Sequence, residues 1–130
     1  MSHVLFVCIQ NAGRSQMAHA LFERAASGYE ARSAGSRPAG RVHPEVVEAM
    51  REVGLDLSSA RPQRLTPELA ASASLLVTMG CGEACPYVPG LAREDWPLDD
   101  PKGQGAEAVR RIRDEIRLRV DQLVADRGWS

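Results

Sequence analysis

Net charge is almost absent from this chain: 16 lysines and arginines stand against 17 aspartates and glutamates, leaving −1 at pH 7. So balanced a chain has no general electrostatic pull toward nucleic acid or a membrane surface, and neither is expected as a partner. Cysteine is scarce and odd in number, with only Cys8, Cys81 and Cys85. Three cysteines do not make a secreted disulfide framework, so they read as catalytic, redox-active or metal-binding thiols in a reducing compartment. No apolar run approaches the ~20 residues of a membrane span. Nor is there the charged-then-apolar pattern of a secretory signal. Internal repeats, low-complexity tracts and linkers are missing too. These absences predict a cytoplasmic protein, a monomer with one domain over residues 1–130. Its 44 % apolar and 25 % charged residues suit an ordinary globular core.

What is present is an alternation of strand and helix patterns. An apolar, β-branched run predicts a first strand over about His3 to Val7. A helix follows over about Arg14 to Ala26, with Met17, Leu21, Phe22 and Ala25 on one face and Gly28 at its end. Tyr29 to Ala34 reads as a second strand. Pro44 and Glu45 open a second helix that stops at Gly54, and Thr66 caps a short third one. Ser74 to Met79 reads as a third, buried strand, and Arg93 to Trp96 as a short fourth stopped by Pro97. The last helix is marked by Val109, Ile112, Ile116, Val120, Leu123 and Val124 at helical spacing. The charged run Arg110, Arg111, Arg113, Asp114, Glu115, Arg117 and Arg119 is then largely a solvated face. Strands alternating with helices predict an α/β fold, an open four-stranded parallel sheet flanked by helices. Ligands of such sheets bind at the carboxyl ends of the strands.

At the carboxyl end of the first strand lies Cys8-Ile9-Gln10-Asn11-Ala12-Gly13-Arg14-Ser15. A loop of small and polar residues can curl so that successive backbone N–H groups converge, and the following helix adds its positive N-terminal end. Ile9, Gln10, Asn11, Ala12, Gly13 and Arg14 are therefore the candidate oxyanion-binding residues. Arg14 contributes a planar fork for a phosphate-like group. Cys8 is the candidate nucleophile, because cations and helix N-termini favour the thiolate. The Ser15 hydroxyl can donate to it, and Asn11 tolerates a left-handed turn conformation.

Two more constellations join this loop. Asp99-Asp100-Pro101 offers a carboxylic acid that could protonate a departing oxygen. A neighbouring carboxylate and a nearby anion both favour its protonated form. Asp100, held by the proline after it, is the candidate. Cys81 and Cys85 sit in Gly80-Cys81-Gly82-Glu83-Ala84-Cys85-Pro86 directly after the third strand. Their i, i+4 spacing would need local unwinding to form a disulfide, and such strained bonds are the reducible kind. Structural burial and metal binding are the competing readings. No histidine pattern completes a zinc site with them, so no metal is expected.

These pieces together resemble the arsenate reductases related to low-molecular-weight protein tyrosine phosphatases. The matching stretches are Cys8 to Ala18, Ser33-Ala34-Gly35, Leu76 to Met79 with the cysteine pair, and Asp99-Asp100-Pro101 followed by Gln104-Gly105. Gln16-Met17, the two later cysteines and Lys102-Gly103 favour the reductases over the tyrosine phosphatases, which carry aromatic residues in that last place. The resemblance implies a flavodoxin-like strand order 2-1-3-4. It implies that Cys8 attacks arsenate, that Asp100 protonates the departing oxygen, and that Cys81 then Cys85 carry the oxidation away as disulfides. Phosphate or sulfate would mimic the substrate. It implies no bound cofactor but an external thiol reductant, either thioredoxin or a small thiol with a glutaredoxin-like partner. Two departures stand out. Only three residues separate Cys81 from Cys85, fewer than in the best-known members. His19 stands where some members carry a potassium-binding glutamate, so no potassium site is expected. A phosphatase acting through a phosphocysteine, with weak phosphatase activity as a side reaction of the reductase, and a thiol-based metalloid-binding module remain the alternatives.

Overall fold

The computed structural model describes residues 3–80 and 89–129. Its central strand is β1, His3–Cys8, buried along its whole length. Successive side chains of a strand point to opposite faces. Val4, Phe6 and Cys8 accordingly enter one apolar cluster, while Leu5 and Val7 enter another. A strand covered on both faces is apolar along most of its length, which is why Val4 to Cys8 read as an unbroken hydrophobic run after His3. Parallel partners flank it: β2, Glu30–Gly35, on one side and β3, Ala73–Thr78, on the other. A short β4, Ala92–Asp95, pairs with β3 in parallel, giving the order β2-β1-β3-β4. The Thr78 hydroxyl donates to the Asp95 carboxylate across that last pair. The parallel α/β sheet is therefore as expected, with boundaries moved by one residue. β2 runs from Glu30 to Gly35 because Gly35 pairs with Cys8, and β4 starts at Ala92 because Ala92 pairs with Leu75.

Three helices cover the first face: α1, Arg14–Ala25; α2, Pro44–Arg51; and α4, Ala106–Arg127. Met17, Leu21 and Phe22 of α1 meet Ile116, Val120 and Leu123 of α4 in one cluster with Phe6. Each such fully buried side chain contributes about 1.5–3 kcal/mol. The aromatic rings among the described residues are concentrated here. Phe6 lies 5.8 Å from Phe22 and 5.7 Å from Trp96, and Trp129 stacks on Tyr29 at 4.1 Å. The second face is thinner, covered by α3, Pro67–Ala71, whose N-cap Thr66 accepts from the Leu69 N–H at 3.1 Å. No helix among the described residues is long and apolar enough to cross a membrane.

One part of the expected solvated face of α4 is not solvated. Arg113 is buried, and its guanidinium donates to the Ala49 carbonyl at 2.7 Å, to Glu52 at 2.8 Å and to Asp114 at 2.8 Å. Arg110 grips the same Glu52 carboxylate at 2.7 Å. A buried guanidinium is tolerated only when its donors are satisfied, and Glu52 ties the end of α2 to α4 in doing so. Hydrogen bonds from Arg110 and then Arg113 hold the Glu52 carboxyl down to about 2 from its ordinary 4.5. A carboxyl lowered on folding adds stability above its unfolded value and loses it as pH falls toward its folded one. Glu52→Gln should therefore lower the melting temperature at pH 7, with the gap closing between pH 4.5 and about 2. Thermal melts across that range test it, and a gap that does not change with pH would contradict it.

Candidate active site

The carboxyl ends of all four strands lie on one edge, since Cys8 pairs with Gly35, Val7 with Thr78, and Thr78 with Asp95. From β1 the chain crosses to β2 on one side, and from β2 back to β3 on the other. This reversal leaves a crevice beside the end of β1, where parallel sheets take their ligands.

Residues 9–13 are moulded by their carbonyl groups. Cys8, Ile9, Gln10 and Ala12 direct theirs outward, to the N–H groups of Ser36 (3.4 Å), Arg37 (2.8 Å), Ala39 (3.0 Å) and His43 (3.0 Å). In a planar trans peptide the next residue's N–H points the opposite way. The N–H groups of Ile9, Gln10, Asn11 and Gly13 thus turn inward. Asn11 adopts φ 51, the left-handed turn its side chain permits. Helix α1 begins at once, with neither a side-chain cap nor an acidic residue in its first turn, so its N-terminal end is left for an anion.

Side chains behind the loop orient the thiol. The Asn11 carbonyl oxygen accepts from the Gln63 backbone N–H at 2.9 Å and from Gln16 Nε2 at 3.2 Å. Its amide nitrogen must then face Ser15, to which it donates at 2.7 Å. Ser15 Oγ lies 2.9 Å from Cys8 Sγ, and to the thiolate, which has no proton to give, it can only donate. Cys8 is only 2 % exposed. Gln63 Nε2 also donates to the Ser33 carbonyl at 2.8 Å, and His19 Nδ1 meets the Ser33 hydroxyl at 3.1 Å. Burial, then Arg32, lowers the His19 pKa against the opposing pull of Glu23, so its neutral ring is favoured.

Arg14 is buried at the mouth of the cradle. Its Nη1 donates to the Leu98 carbonyl at 3.1 Å, and Nη2 lies 3.7 Å from the Asp100 carboxylate. Nε is buried without a hydrogen-bond partner among the described residues. The edge formed by Nε and Nη2 is thus the one available for a two-point grip on an oxyanion. Asp100 reaches this place because Pro101 packs on Gly13, where a β-carbon would stand 2.7 Å from the proline ring. Its other oxygen accepts from the Lys102 N–H at 3.0 Å. Asp99 lines a separate cavity of about 350 Å³ with Gln104 and Arg111.

The structure thus brings together Cys8, Arg14, Ser15, Asp100 and the Ile9–Gly13 loop, while Cys81 and Cys85 lie outside the described residues. Sequence reasoning gave no role to Gln63 or to the Leu98 carbonyl. Neither has a local signature, because Gln63 acts through a long-range alignment of residues 63–65 with Gly35.

Comparison with known proteins agrees with this geometry. Residues 3–127 match the low molecular weight phosphotyrosine protein phosphatase family. The chain belongs to this family. Among its relatives is the glutaredoxin arsenate reductase of Synechocystis, 34 % identical over 96 % of this chain and 98 % of that protein. The thioredoxin-dependent arsenate reductase Cg_ArsC1' of Corynebacterium glutamicum is 41 % identical, with TM-score 0.83 over 97 % of this chain. This chain spans 61 % of that structure's length. The YwlE arginine phosphatase of Geobacillus stearothermophilus also superposes, with TM-score 0.83 at 28 % identity over 98 % of this chain and 94 % of that one. One fold thus carries both reductases and phosphatases in this family.

Within such a site, one hydrogen bond to a thiolate is worth about 1.5 kcal/mol. Ser15→Ala should therefore shift the thiol–thiolate balance of Cys8 about tenfold toward the thiol, and slow its alkylation by iodoacetamide by that factor at any pH below the wild-type rate plateau. An unchanged rate would mean that Ser15 does not donate to the sulfur.

Proposed function

We propose that this protein reduces arsenate to arsenite, with Cys8 as nucleophile and Cys81 and Cys85 as the thiols that carry the oxidation away. The observation supporting it most directly is the 2.9 Å contact of Cys8 Sγ with Ser15 Oγ, together with an Arg14 Nε that is buried and unpartnered among the described residues. The Cys8 thiolate attacks arsenic(V) held by the inward N–H groups and Arg14. An oxygen leaves as water with a proton from Asp100, and a Cys8–arsenic bond forms. The Cys81 thiolate then attacks the Cys8 sulfur. The sulfur–arsenic electron pair stays on arsenic, which departs as arsenite, and a Cys8–Cys81 disulfide forms. The Cys85 thiolate attacks Cys81, releases the Cys8 thiolate and leaves a Cys81–Cys85 disulfide. An external dithiol, for which thioredoxin is the candidate, reduces that bond. A soft thiolate suits arsenic(V) as a reductant, whereas phosphate in the same cradle could only be transferred. The cycle requires a reducing thiol pool, which fits arsenic detoxification in the cytoplasm.

Reconstituted turnover with thioredoxin or with glutathione and glutaredoxin tests the relay and names the donor. Cys8→Ser should abolish arsenite release altogether. Cys81→Ser and Cys85→Ser should abolish multiple turnover, and Asp100→Asn should slow the first step roughly 10²–10⁴-fold, the usual contribution of a positioned acid. Mass spectrometry after one wild-type turnover should find Cys81 bonded to Cys85. Sustained arsenate turnover by Cys81→Ser would refute the relay. Efficient hydrolysis of a phosphorylated substrate without arsenate turnover would favour the phosphatase reading.

A further inference from the structure

Gly80 is the second residue beyond β3, and its backbone is held close to the catalytic loop. The preceding Met79 N–H donates to the Val7 carbonyl at 2.8 Å, which keeps the chain in register with β1 up to the residue before Cys8. Gly80 itself has φ +83, a conformation that residues with side chains rarely adopt. A β-carbon built there would lie 2.4 Å from Arg14 Nη1 and 3.2 Å from the Leu98 carbonyl oxygen. These two atoms are the partners of the 3.1 Å hydrogen bond that sets the guanidinium in place.

We propose that Gly80 is a positioning residue for Arg14: its missing side chain is the space that lets Nη1 dock on the Leu98 carbonyl and leaves the Nε–Nη2 edge facing the oxyanion. A side chain at this position meets one partner that can yield and one that cannot, from a backbone that cannot easily withdraw. The Gly80 backbone is tied to β1 through Met79, and the Leu98 oxygen is itself backbone. The guanidinium is the end of a flexible side chain. It therefore moves first, and the cost appears in oxyanion binding more than in folding. The planar fork binds two oxygens only in one orientation, so a small rotation forfeits much of the grip. The inference rests on the oxyanion cradle of the proposed function but not on its redox chemistry.

The test is the affinity of the full chain for inorganic phosphate, measured by calorimetry. Arsenate turnover is not the readout, so a failure of the reductase reading leaves this result standing. Gly80→Ala should weaken phosphate binding about tenfold or more, through loss of the two-point contact. Gly90→Ala is the control for backbone strain, because Gly90 has φ +81 with nothing among the described residues within 4 Å of its β-carbon position. It should bind phosphate within about twofold of the wild type, as an effect with no shared partner. In an Arg14→Lys background, Gly80→Ala should add less than about twofold, because the two changes act on one group. Wild-type affinity in Gly80→Ala, an equal loss in Gly90→Ala, or an undiminished loss in the lysine background would each overturn the assignment.

Discussion

The site depends on the direction of one side-chain amide. Asn11 could in principle turn either its oxygen or its nitrogen toward Ser15. Two N–H donors, from the Gln63 backbone and from Gln16, converge on the oxygen and decide the matter. The nitrogen then donates to Ser15, which leaves the serine proton free to serve the Cys8 thiolate. A thiolate can only accept, so the direction fixed at Asn11 matches the one the ionised sulfur needs. Reversed, the same atoms would present a lone pair to the sulfur and oppose its negative charge. The positive φ of Asn11, the start of α1 and the alignment of residues 63–65 with Gly35 all support this one orientation.

The same economy explains the loop's outer wall. A loop that turns its N–H groups inward must turn its carbonyls outward, and buried carbonyls need donors. Ser36, Arg37, Ala39 and His43 supply them from the stretch that follows β2. That stretch carries no regular structure, yet without it the inward N–H groups could not be held in place of water. Charge plays a local part in a chain with almost no net charge. One buried guanidinium and one helix end act at the cradle, and the remaining surface is balanced.

The fold was legible wherever a pattern repeats locally. The unbroken apolar run of β1 and the spacing of Val109 to Val124 follow from burial on two faces and on one face respectively. Cys8, Arg14 and Ser15 were legible because strand, loop and helix start are contiguous. Arg113 was misplaced because helical periodicity assigns a face but cannot foresee that Glu52 and the Ala49 carbonyl arrive from another helix to satisfy a buried cation. Leu98 acts through a backbone oxygen, which any residue type would provide, so its identity carries no signal. Gln63 acts partly in the same way, through a backbone N–H brought beside Asn11 from 52 residues away.

Arg14 shows why this chemistry suits a parallel sheet at its reversal point. Its guanidinium is reached by three segments: the loop after β1 that bears it, Gly80 beyond β3, and Leu98 with Asp100 beyond β4. Only a shared carboxyl edge brings three such strand ends to one cation. The last segment supplies both the carbonyl that anchors Nη1 and the carboxylate that faces Nη2, two residues apart. In the proposed reaction the group that grips the oxyanion and the acid that protonates its leaving oxygen are therefore not placed independently. Pro101 against Gly13 sets their separation from the cradle, and the Leu98 anchor sets their orientation to each other. A lysine at position 14 could match the charge but not this division of labour. A single ammonium has no fixed far side to dock on a carbonyl while a rigid edge faces the substrate.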